Sequence, residues 1–181
     1  VDHLVQRRGN AGQALDAVGD NVDILMFGDD IGIQTGPMFS PEVYRKVIKP
    51  RQAKFVGFLK EKSGGKKVLM HTCGSIIDLM DDLIEIGIDV YNPVQTTAAK
   101  MDPVALKETF RGRMAFWGGI DTHRVLPKGT PEDVRNEVAK MIGLLAPGGG
   151  FVLNSVHNIQ PDVPPENICA MFDAGWELGK Y

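Results

Sequence analysis

KVLMHTCG, Lys67 to Gly74, is the stretch on which the reading of this chain turns. Val68, Leu69 and Met70 form an apolar run long enough for a buried strand. Gly74 breaks it, and Ser75 stands at the N-cap position of a helix over IIDLMDDLIEIG, reaching about Glu85 and closed by Gly87. Residues two apart in an extended segment share a face, so His71 and Cys73 aim an imidazole and a thiol at one point. Both are donors that zinc prefers, and a zinc site needs at least a third. The plainer reading is structural: a Cys buried as a small hydrophobe and a His satisfied by a backbone carbonyl.

Working outward, the same unit recurs. Residues 1–20 carry apolar positions at roughly helical spacing, closed by Gly19 and without an initiating Met. Asp23–Phe27 is a strand, and GDDIGIQTGPMFS after it is a loop too polar for core. Ser40-Pro41-Glu42 opens a long helix with cap, proline and acid in their favoured places. Pro50 should kink or divide it, and Gly64-Gly65 ends it. Ile88–Tyr91 is a strand running into Asn92-Pro93, and Asp102-Pro103 caps a short helix. Met114–Trp117 is a strand opening into GGID, and Thr130-Pro131 begins a helix to Leu145. Phe151–Ser155 is the last strand, and Pro164-Pro165 begins the last helix, to about Leu178.

Five strand–helix repeats, with strands apolar on both faces and amphipathic helices, imply an α/β fold with a parallel sheet. A doubly wound sheet and a (β/α)8 barrel both satisfy this pattern. No GxGxxG follows the first strand, which weighs against dinucleotide binding. In either fold the chemistry sits at the carboxyl ends of the strands. There fall Asp29, Asp30, His71, Cys73, Asn92, Asp121 and His157.

The chain has 181 residues, 43% hydrophobic, with a net charge of -3, which suits one ordinary domain spanning residues 1–181. Its scattered Lys and Arg form no basic stripe for nucleic acid. No apolar run approaches the roughly 20 residues of a membrane span, and the N-terminus has no apolar signal region. Cys73 and Cys169 sit in unlike contexts and suggest no disulfide framework, so a reducing cytoplasm is expected.

His157, after the last strand, is the candidate third metal ligand, because successive strands of a barrel converge on its axis. Cys169, inside the last helix, is expected in the core. Asp29 and Asp30 are either a solvated turn pair or functional carboxylates that hold a substrate, complete a metal shell or act as general acid and base. Gln34 shares their loop. Asn92 and Asp121 are candidates for binding substrate, while Asp121 and His123 could instead cap the next loop. His3 is expected at the surface. Lys49, Arg51, Lys54, Lys60 and Lys62 are expected on a solvated helix face.

GDDIGIQTGPMFSPEVYRKVIKP, HTCG, GGIDTHRVLPKGTPEDVR and LNSVHNIQPDVPPENI together resemble the uroporphyrinogen decarboxylase family across nearly the whole chain. The resemblance implies a (β/α)8 barrel about twice this length, of which this chain is the C-terminal part, about five units. The N-terminal segments, with the decarboxylases' essential aspartate and arginine-rich loop, are expected to be missing. His157 matches the decarboxylases' substrate-pocket histidine. The family's second branch comprises zinc-dependent methyltransferases that work with corrinoid (cobalamin) proteins and bind zinc through His-x-Cys and a later Cys. His71-Thr72-Cys73 matches the first part, and His157 stands where those enzymes have Cys. The branch implies Zn, a methylated corrinoid on a partner protein, and a small methyl donor or thiol acceptor. The alternatives are a decarboxylase fragment without a metal and a non-catalytic truncated domain. Open sheet edges lead to the expectation of a homo-oligomer.

Overall fold

The structure is a computed structural model that describes residues 3–180, with side chains from Gln6 onward. The expectation for the His3 side chain lies outside the described residues. Helix α1 (His3–Val18) precedes strand β1 (Ile24–Gly28). A small hairpin follows, β2 (Gly32–Ile33) with β3 (Gly36–Pro37). Then come α2 (Pro41–Val43), α3 (Lys49–Lys62), β4 (Lys67–His71), α4 (Met80–Glu85) and β5 (Val90–Asn92). The chain ends through α5 (Pro103–Phe110), β6 (Ala115–Ile120), α6 (Val125–Lys128), α7 (Pro131–Leu145), β7 (Phe151–Ser155) and α8 (Pro165–Leu178).

Five strands pair in parallel in the order β1-β4-β5-β6-β7, which is their order along the chain. A doubly wound sheet reverses order at a switch point; a barrel wall does not. The helices cover one face: Val68, Met70, Tyr91, Phe116 and Phe151 from the strands join α3, α4, α5, α7 and α8 in one hydrophobic cluster. Leu69 and Val90 are buried but stand outside that cluster. They share a register row with Met26 of β1, so this row faces the concave side. That inner row is buried at β4 and β5 and open at the β1 edge, where Met26 is 65% exposed. No described helix is long and apolar enough to cross a membrane.

Local differences from expectation have local causes. The loop after β1 is not all solvated, because Ile31 is buried and the segment folds back as β2–β3. Ser75 does not cap a helix. Its N–H donates to Ile33 O, which draws residues 74–76 into pairing with the hairpin, and a 3-10 turn at Ile77–Leu79 leads into α4. Strand β6 runs on through Gly118-Gly119 to Ile120 by pairing with Leu153–Ser155 of β7; both glycines take positive φ, and a Cβ at Gly119 would come within 2.9 Å of Met141. Pro50 does divide its helix. Tyr44–Ile48 forms a π-helical turn in which Lys49 N–H reaches back to Tyr44 O, and α3 begins beside the proline. Lys49 is not on a solvated face but bridges Asp82 and Glu85, and Lys60 pairs with Asp89. Cys169 is exposed rather than core.

Candidate metal centre

His71 is the last residue of β4, and its row across the sheet is Gly28, His71 and Asn92. Cys73 lies two residues on, with Sγ 3.5 Å from His71 Nε2. His157 enters from the segment after β7, its ring centroid 5.8 Å from that of His71. One donor atom from each of the three lies within 4.8 Å of the others, and among the described residues no other such cluster of His, Cys, Asp and Glu occurs. Donors on a tetrahedral zinc stand about 3.4–3.6 Å apart for bonds of 2.0–2.3 Å. The His71–Cys73 pair already has that separation. His157 is exposed, and its donor atom lies within 4.8 Å of the other two.

The turn carrying these ligands is pinned at nearly every polar backbone atom. Thr72 N–H donates to Asn92 O. Cys73 N–H donates to Asp30 Oδ1 and Gly74 N–H to Gln95 Oε1, each at 2.8 Å. The buried Tyr91 hydroxyl donates toward the carbonyls of Thr72 and Gly74. Thr72 Oγ1 in turn accepts from Ile31 N–H. Gly74 has φ 84°, and a Cβ there would fall 2.7 Å from the backbone of Gly32 and Ile33. Only glycine lets the hairpin lie this close. Burial, with the Asp30 carboxylate adding to it, pushes the Cys73 thiol up. A nearby cation would act in the opposite sense and favour the thiolate.

A cavity of about 810 Å³ opens beside the cluster, with Met26, Leu69 and Trp117 on its wall and His71, Asn92, Asn154 and His157 among its polar groups. The other candidates fall in different places. Asp30 stays next to the cluster through Cys73. Asp29 is turned toward the helical layer, accepting from Gln52 Nε2 at 2.9 Å and facing Arg7. Gln34 is exposed at the hairpin tip, where its carbonyl accepts from Ala99 N–H. Asp121 is buried and accepts from His123 N–H at 2.8 Å, which is the loop-capping alternative. Gln95, Tyr91 and Thr72 were not singled out from sequence. They act by shaping backbone, and only the Gly-containing turn they hold is visible in the residue string.

A parallel βα sheet in sequential order, with its donor cluster at the carboxyl ends of the strands, is the class of a (β/α)8-barrel wall. The model of the uroporphyrinogen decarboxylase (URO-D) family matches residues 11–178, and the chain belongs to that family. It is 29% identical over 146 residues to a uroporphyrinogen decarboxylase of Psychromonas ingrahamii, covering 79% of this chain and 39% of that protein. A uroporphyrinogen decarboxylase of Alkalilimnicola ehrlichii is 41% identical over 66 residues, covering 36% of this chain and 18% of that one. Among solved structures, a methyltransferase from Methanosarcina mazei matches with a TM-score of 0.74 at 20% identity, covering 96% of this chain and 47% of the other. That likeness is one of fold. The chain thus spans less than half the length of these relatives.

Proposed function

We propose that this chain carries the zinc site of a corrinoid-dependent methyltransferase within its family. The observation that carries the reading is the convergence of His71, Cys73 and His157 at one point beside an open cavity. Three protein donors and an open fourth position are the layout of catalytic rather than structural zinc. Zinc held there would supply a Lewis acid that lowers the pKa of a bound thiol or polarises a methyl ether oxygen.

The chain's own residues set the conditions for that chemistry. One thiolate and two neutral imidazoles leave one positive charge uncompensated on a divalent ion, which favours an anionic fourth ligand. Asp30 accepts from the Cys73 N–H and so steadies the ligand turn, while Asp29 is held by Gln52 on the helical side. Met26, Leu69 and Trp117 give the donor or acceptor an apolar wall to pack against. The concave side is where a methylated corrinoid, held by a partner protein, would approach a small methyl donor or thiol acceptor. A ligand cysteine kept reduced fits a reducing cytoplasm.

The names of the curated relatives support a second reading, decarboxylation of a porphyrinogen, in which His157 and Asn154 contact the substrate and no metal takes part. One set of measurements separates the two. Protein purified without chelator should contain about one zinc per chain, lost in Cys73→Ser, and the full-length protein should transfer methyl groups to or from methylcobalamin. Porphyrinogen turnover that survives EDTA and Cys73→Ser, without methyl transfer, would establish the decarboxylase reading instead.

A further inference from the structure

Asn92 ends β5 beside His71, and only 7% of it is exposed. Its side-chain amide has two partners on opposite sides. Nδ2 donates to Trp117 O at 3.3 Å, and Oδ1 lies 2.6 Å from His71 Nδ1. A carbonyl oxygen can only accept, so the Trp117 carbonyl requires the NH2 end of the amide to face it. The oxygen end must then face His71. An amide oxygen also only accepts, so His71 Nδ1 must carry the hydrogen. In the neutral ring that leaves the lone pair on Nε2, the atom 3.5 Å from Cys73 Sγ.

We propose that Asn92 is a positioning residue that fixes His71 in its Nδ1–H tautomer and so reserves Nε2 as the metal-binding atom. The signal passes through three strands: the β6 backbone orients the Asn92 amide on β5, and the amide orients the imidazole on β4. The register supports this, because His71 and Asn92 are paired positions of adjacent parallel strands with their Cβ atoms on one face. The assignment gives Asn92 a role through His71 beside the sequence-based expectation that it binds substrate, since it also lines the cavity. Its value for metal affinity rests on the zinc reading above; the tautomer itself does not.

The experiment uses the 181-residue chain labelled with 15N-histidine. Long-range 1H–15N correlation at neutral pH on the metal-free protein reads the tautomer of His71 directly, with His71→Gln supplying the assignment. The wild type should show the Nδ1–H form. Asn92→Asp keeps an acceptor facing Nδ1 and should preserve that form. Asn92→Leu, similar in size but without an acceptor, should shift His71 toward the Nε2–H form. Zinc titration then reads the second consequence: affinity should fall about 10- to 100-fold in Asn92→Leu, as is typical for loss of a group that orients a ligand histidine, and stay within a few-fold in Asn92→Asp. An Nε2–H tautomer in the wild type, or one unchanged in Asn92→Leu, overturns the assignment. If Asn92→Leu does not fold, the wild-type spectrum and Asn92→Asp still decide it. A wild type in the Nδ1–H form that takes up no zinc would count against the metal and not against Asn92.

Discussion

Gly74 is the residue on which the ligand turn depends most tightly. Its φ of 84° is one that L side chains rarely adopt, and the space for a Cβ is already filled by the Gly32–Ile33 backbone. Gly74→Ala meets both penalties, strain at positive φ of about 1–2 kcal/mol and a clash that forces the hairpin away. A loss of about 3 kcal/mol is expected, read as a lower urea midpoint, together with weaker zinc uptake because Cys73 moves with the turn. Unchanged stability and uptake would show that the hairpin yields freely and does not pin the site. His71 and Cys73 could be picked out from their spacing alone. The roles of Asp30, Asn92 and Gln95 could not, because each acts on a partner more than 20 residues away.

At the level of elements, two carboxylates tie neighbouring elements together, Asp82 helix to helix and Asp89 helix to strand. Asp82 of α4 receives Arg45 from the π-helical turn and Lys49 from α3. Burial works against its ionised form, but the hydrogen bonds from Arg45 and Lys49 outweigh this and hold the carboxyl below its usual range. Asp89, ahead of β5, behaves alike: burial is opposed by Lys60, the Val68 N–H and Lys67, with the net effect downward. A carboxyl whose folded pKa lies below its unfolded value contributes stability above the unfolded value, near 4, and loses it as pH falls through the folded pKa. The urea midpoint should therefore hold between about pH 7 and 5 and drop below about pH 4. The drop should be shallower in Asp82→Asn, which is also less stable at neutral pH. An equal acid slope in wild type and variant would rule the Asp82 cluster out as a source of acid sensitivity. On α7, Thr130 and Asp133 form a reciprocal capping box; Thr130→Ala should cost about 1 kcal/mol by thermal or urea unfolding.

For the whole molecule, the concave side of the sheet decides behaviour in solution. Met26 is open there, and on the helical side Trp176 of α8 is 77% exposed beside Phe172. Strands β1 and β7 end the sheet, each paired on one side only in the described ladder. Such edges and apolar faces drive association when nothing covers them. Light scattering on the 181-residue chain should give a dimer or larger species, and Met26→Glu should shift it toward monomer by placing a charge on the inner face. A monodisperse wild-type monomer with cooperative unfolding would show that water covers this face without penalty.

The sequence by itself determined the local units and their order. Ser40-Pro41, Asp102-Pro103 and Thr130-Pro131 each cap a helix where they stand, because a cap is decided within four residues. The apolar runs became parallel strands for the same reason of local pattern, and HTCG disclosed two of the three donors through its spacing of two. The pattern of apolar runs left a doubly wound sheet and a barrel wall both open, since either arrangement buries the same runs; the family resemblance implied the barrel, and the strand order agrees with it. Tertiary structure also separated Asp29 from Asp30, neighbours in the chain that turn to opposite partners, Gln52 and Cys73. It also brought Asn92 to His71 and to the Trp117 carbonyl, because hydrogen-bond partners on three different strands meet only when the sheet fixes their register.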